Sequence, residues 1–150
     1  MLKITSKIIL TSLVFALSSC ATNAPITLPE SGATLEGTVT YGGEPVLFAL
    51  IIAQNNNGSA TGKVDPQTGK YLIKNIPLGE VNIAVNTDAG MGDYQQAVMQ
   101  GGAYKGPDGK AGTVNLKLVA VPKKYHDVSS SGLTTTIVKG SNTFNIQIDK

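Results

Sequence analysis

The chain has 150 residues, with 12 Lys, 10 acidic residues, one His and one Cys; there is no Arg. A lone Cys rules out an intramolecular disulfide, and one Cys with one His cannot build a zinc site. Lysines scattered through a nearly neutral chain argue against nucleic-acid binding, which needs clustered cations. Without Arg the chain also lacks the planar fork best suited to phosphate and carboxylate.

The N-terminal stretch MLKITSKIILTSLVFALSSC carries Lys3 and Lys7 and no acid, then an apolar run from Ile8 to Leu17 broken only by Thr11 and Ser12. A short basic segment, a short apolar core and small residues before a cut make a secretory signal peptide. The run is about half the roughly 20 residues a membrane-spanning helix needs, so a permanent span is not expected.

Leu17-Ser18-Ser19-Cys20 resembles the lipobox of bacterial lipoproteins. That resemblance implies cleavage between Ser19 and Cys20, a diacylglyceryl group on the Cys20 thiol and acylation of the new amino group. Residues 1–19 are then a cleaved leader, and 20–33 a lipid-anchored tether containing Pro25 and Pro29. Each buried methylene contributes about 0.8 kcal/mol, and stable anchoring takes more than one acyl chain. Ala21 rather than Asp follows the cysteine. Under the enterobacterial sorting rule this points to the outer membrane, on its periplasmic or surface face. Loss of Lys3 and Lys7 leaves 10 Lys against 10 acids, a neutral mature chain.

Residues 34–150 read as one all-β domain, an antiparallel sandwich of about seven strands. Leu35, Gly37, Val39 and Tyr41 alternate with polar residues, a half-buried strand. Gly42-Gly43-Glu44-Pro45 is a turn, and the apolar run Val46–Ala53 reads as a strand covered on both faces. Asn55-Asn56-Asn57-Gly58 and Asp65-Pro66-Gln67-Thr68-Gly69 are turns, and Tyr71, Ile73 and Ile76 follow the second. After Pro77-Leu78-Gly79, Val81, Ile83 and Val85 alternate again. Residues 88–112 hold seven glycines and read as a mobile loop with about one helical turn near Tyr94–Gln100. Val114, Leu116 and Leu118 alternate as a strand; Leu133, Thr135 and Ile137 form another; Phe144, Ile146 and Ile148 form the last.

The segment Leu35–Val46, with its Gly-x-Val strand, Gly turn and Pro, resembles the opening of carboxypeptidase regulatory-like domains. Asp65–Val85, with its acidic turn, Gly-x-Tyr, alternating strand and Pro-x-Gly, resembles their middle. The tail, from Val121-Pro122-Lys123-Lys124-Tyr125 through Ser131-Gly132-Leu133-Thr134 to Phe144, is similar to small planctomycete lipoproteins of that group. The resemblance implies a transthyretin-like (prealbumin-like) sandwich without catalytic residues or cofactor.

His126, beside Asp127 and near Ser129, Ser130 and Ser131, draws attention as a hydrolase site. Neighbours on an extended chain face opposite ways, and no Gly-x-Ser-x-Gly elbow occurs, so the stretch reads as a wet connection. Asp65, Thr68 and Gly69 offer too few carboxylates for a calcium loop; no metal is expected. The glycines at 90–92 and 101–102 lack the context of a phosphate loop. The expected role is non-enzymatic, a structural or interaction module with an envelope protein as partner. The interaction loop would carry Tyr94 and Tyr104. A carbohydrate-binding module, an envelope hydrolase and an intramolecular Lys–Asn isopeptide bond are the alternatives.

Overall fold

The computed structural model describes residues 30–106 and 109–150. Strand β1 spans Ala33–Tyr41, β2 Glu44–Pro45, β3 Leu50–Asn55, β4 Gly58–Asp65, β5 Lys70–Lys74 and β6 Gly79–Asn86. Helix α1 (Met91–Met99) and the hairpin β7 (Ala103–Lys105) and β8 (Ala111–Thr113) follow. A 3-10 turn at Lys123–His126 precedes β9 (Leu133–Ile137), β10 (Gly140–Thr143) and β11 (Ile146–Ile148).

The fold is an all-β, sandwich-like curled sheet in the order β10-β1-β5-β4-β3-β6-β9, with β2 and β11 also on β1. Strand β4 carries the chain between the two halves. It pairs with β3 over Gly58–Lys63 and with β5 over Val64–Asp65. Period-two alternation then delivers one apolar face from each half. Leu35, Val39, Tyr71 and Ile73 from one half pack with Ile51, Ala53, Val81, Ile83 and Val85 from the other.

Pairing is antiparallel except along β1, which takes β10 and then β11 in parallel. The change of partner falls at Phe144, between those two strands. Its N–H donates to Glu36 O at 2.9 Å, and its carbonyl accepts the Tyr71 hydroxyl at 2.6 Å. The Phe144 carbonyl comes so close to Gly37 that a Cβ there would lie 2.0 Å from its oxygen. Gly37 is therefore required by close backbone approach rather than by dihedral freedom. Tyr71 is 2 % exposed, and burial pushes its phenol pKa well above the usual tyrosine range. The Gly of the first signature and the Tyr of the second meet at one carbonyl.

Several expectations need correction. The apolar run Val46–Ala53 is not one strand. Val46–Ala49 are buried but irregular, and the strand begins at Leu50. Val46 N–H bonds back to Val39 O at 2.9 Å, and Ala49 O accepts Val64 N–H at 3.0 Å. Apolar continuity thus reports burial on all sides, which a buried connection satisfies as well as a strand does. Strand β4, GSATGKVD, is largely small and polar, and its inward positions Gly58, Ala60 and Gly62 are too small to give an apolar signal, yet it is the crossover. A Cβ at Gly62 would lie 2.4 Å from Leu72 O, so bulk there is excluded by the neighbouring strand. Residues 114–118 keep their alternation, half-buried and exposed in turn, without joining a sheet. Their apolar side packs with Leu47, Phe48 and Ala97 in a second, smaller cluster.

Within 88–112, read as a mobile loop with about one helical turn, the described residues form a nine-residue helix and a hairpin fastened to the domain. The Phe48 and Tyr94 rings meet edge to face at 5.3 Å, and Lys63 Nζ lies 2.8 Å from Asp93 Oδ2. Gln67 Nε2 donates to Tyr104 O at 3.0 Å. A Cβ at Gly112 would lie 2.7 Å from that Gln67 nitrogen, so the glycine admits the amide. The glycines serve tight turns and close approach, with Gly101 and Gly102 both at positive φ just after the helix, where left-handed residues end helices.

Candidate functional site

Ser19 and Cys20, the expected cleavage and lipidation residues, lie outside the described residues. In the connection VPKKYHDVSSSG, Asp127 turns away from His126. Its Oδ1 accepts Ser129 N–H at 2.7 Å and Ser129 Oγ–H at 2.6 Å. The two Ser129 hydrogen bonds hold its carboxyl below the usual carboxylate range. Ser131 Oγ–H donates to Ile83 O, and Ser130 Oγ–H to Lys124 O at 2.6 Å. Lys124 Nζ sits 4.7 Å over the Tyr125 ring, and Tyr125 packs against the core.

His126 has partners that no local pattern could reveal. Its Nε2 is 3.1 Å from Thr87 Oγ1, and its Nδ1 is 3.4 Å from Asp88 Oδ2. The order hydroxyl, imidazole, carboxylate is that of a hydrolytic relay. Thr87, however, is 2 % exposed, whereas a nucleophile must meet its substrate. The cluster therefore pins the 3-10 turn to the end of β6. The sequence places Thr87 and His126 39 residues apart, and only the fold joins them.

The Asp65 turn is closed on itself. Asp65 Oδ1 accepts Gln67 N–H at 2.9 Å and Oδ2 accepts Thr68 Oγ–H at 3.0 Å. That is the Asx-turn use of a carboxylate. Among the described residues no group of three or more His, Cys, Asp or Glu could hold a metal ion.

A groove of about 750 Å³ lies on the outer face of β5 and β4, reaching Glu36 of β1 and walled by Tyr104 and Lys105 of β7. Strand β5 alternates exposed Lys70, Leu72 and Lys74 with buried Tyr71 and Ile73. Lys63 projects from β4 into the same groove. Lys70, Lys74 and Lys105 enter no ion pair among the described residues, whereas Lys63 is held by Asp93. Glu36 stands opposite Leu72 in the β1–β5 register. Burial, with the Asp93 and Asp65 carboxylates nearby, raises the Tyr104 phenol pKa.

Of the expected contact residues, Tyr104 thus lines the groove, while Tyr94 serves mainly to pack α1 on Phe48. A smaller hollow of about 240 Å³, lined in part by Ser31, Asn57, Asn75 and Leu78, marks where the chain enters β1. The groove is not legible as a site in the sequence, because it forms between β4 and β5 on one side and β7 on the other, segments far apart along the chain. The one available signal was Lys-x-Leu-x-Lys at 70–74, which alternation places on one face. Compared with known proteins, the chain matches no family model, no curated protein and no solved structure.

Proposed function

We propose that the chain is a lipid-anchored protein of the bacterial envelope whose sandwich acts as a non-catalytic interaction module. One observation carries this reading. The chain's only cysteine, Cys20, directly follows Leu17-Ser18-Ser19 at the end of a short apolar run preceded by Lys3 and Lys7. A lone thiol in an exported protein is unusual, and lipidation accounts for it. Residues 21–31 reach at most about 35 Å when extended, enough to hold a small domain clear of headgroups.

The domain is read as carboxypeptidase regulatory-like on the residues quoted above. The Gly37–Tyr71–Phe144 contact gives that reading a physical basis. The first glycine and the tyrosine of its signatures act on one carbonyl, so each signature has a structural reason to accompany the other. The contact surface on this reading is the excursion of residues 88–112 and the groove beside it.

The test is mass spectrometry of the N-terminal peptide from membrane-extracted protein. The expected result is diacylglyceryl on Cys20 as the first residue, with Cys20→Ser appearing in the soluble fraction uncleaved or unlipidated. A free Cys20 thiol with a cut elsewhere refutes the anchor.

A further inference from the structure

We infer that the groove along β5 binds an extended acidic peptide segment with the alternation acid-x-apolar-x-acid; this deepens the interaction-module reading and rests on it. The floor sets the pattern. Lys70, Leu72 and Lys74 stand on one face of β5, and four residues of strand place the outer two about 13 Å apart. A second extended chain repeats at the same rise. Laid along β5, it sets residues i, i+2 and i+4 over Lys70, Leu72 and Lys74. Carboxylates suit the two ends and an apolar side chain suits the middle.

The surroundings sharpen the choice. Glu36 lies across from Leu72, so a third acid at the central position would be repelled. Asp65 lies across from Lys70; its oxygens accept the Gln67 and Thr68 turn bonds, but such bonds leave a carboxylate's charge in place, so Lys74 is the better-matched end for an acid. Lys105, which enters no ion pair among the described residues, adds a cation from the β7 wall. With lysines and no arginine, the groove supplies mobile point charges rather than the planar forks that select phosphate. A peptide with carboxylates at fixed strand spacing matches that supply. The chain's own first 29 residues contain no Asp or Glu and cannot provide such a segment.

The probe is a fluorescein-labelled peptide Ser-Glu-Thr-Val-Thr-Glu-Ser, measured by anisotropy against full-length protein in mild detergent. Saturable binding is expected, weakened severalfold at about 0.5 M salt, where the screening length falls to about 4 Å. The double reversal K70E/K74E should weaken it at least about tenfold, since each lost attraction becomes a repulsion. An isomeric peptide with adjacent glutamates should bind at least about fivefold more weakly, having lost one of the two pairs. K70Q/K74Q serves if the reversal unfolds the domain, and the unfolding midpoint of each variant is checked. No binding, equal binding of both peptides, or indifference to both double variants overturns the proposal. Displacement by polygalacturonate at lower concentration than by unlabelled peptide also overturns it, reassigning the groove to an acidic glycan. Failed peptide binding with Cys20 lipidated refutes the groove alone; a free Cys20 thiol with peptide binding intact refutes the anchor alone.

Discussion

The Phe144 carbonyl should behave as a shared keystone of Gly37 and Tyr71, and a double-mutant cycle measures this. Tyr71→Phe removes a hydroxyl that donates at 2.6 Å from a nearly fully buried ring. It leaves the carbonyl short of a partner, at a loss of about 1–2 kcal/mol. Gly37→Ala is more severe. Its Cβ would stand 2.0 Å from Phe144 O and 2.7 Å from Phe144 C. The link between β10 and β11 must then move, straining both the Tyr71 bond and the 2.9 Å bond from Phe144 N–H to Glu36 O. Two weakened hydrogen bonds plus overpacking give about 3–4 kcal/mol. Because Gly37→Ala already disrupts what Tyr71→Phe removes, the double variant should fall short of the sum by about 1–2 kcal/mol. Urea unfolding followed by far-ultraviolet circular dichroism measures all three variants. In thermal unfolding the Tyr71→Phe midpoint should drop by about 3–10 °C. Additivity within about 0.5 kcal/mol would refute the shared-carbonyl account, as would a Tyr71→Phe variant as stable as the parent.

The same phenol makes a pH prediction. With its pKa raised in the folded state, Tyr71 contributes stability fully present below the unfolded-state value near 10. The unfolded chain then binds fewer protons than the folded one, so stability falls as pH rises above that value. Tyr71→Phe should show a shallower alkaline decline in the same urea assay. His126→Ala leaves the buried Thr87 hydroxyl without its imidazole partner, and thermal unfolding should register a loss of about 1–2 kcal/mol. Gln67→Ala removes the donor to Tyr104 O. Amide exchange at residues 103–106 and 111–114 should accelerate while that of Ile51 and Val85 stays unchanged, since the hairpin opens as a local unit. Breaking the exposed Lys63–Asp93 pair with Lys63→Ala should change stability by less than about 1 kcal/mol, measured by the same thermal unfolding.

Some elements were legible and others were not, for identifiable reasons. β1, β5, β6 and β9 sit where alternation puts them, because each has one face on the core and the other largely in water, with buried Ala84 of β6 the exception. β4 is hard to read because its inward residues Gly58, Ala60 and Gly62 are small, Gly62 because Leu72 O crowds it, and because it bridges two halves instead of lying on one face. β10 was missed because GSNT has no apolar face; its place depends on parallel pairing with Ala33–Glu36. Glycine density in 88–112 suggested mobility, but Gly90 and Gly112 are places where other groups pass too close for a Cβ.

The polar connection at 121–132 follows the same division. Pro122 follows an irregular stretch and not the expected strand, but that a strand opens at the far end was readable from Gly132-Leu133. That His126 closes on Thr87 and Asp88, while Asp127 closes on Ser129, was not. By itself the sequence determined what depends on neighbours along the chain: the periodicity of most core strands, the Asp65 turn and the all-β class. Only the tertiary structure decided which half each strand joined, which carbonyl Gly37 and Tyr71 share, and that four lysines and Tyr104 border one groove. Those outcomes rest on approaches between segments tens of residues apart, and local alternation constrains the face a side chain takes but not the partner it meets.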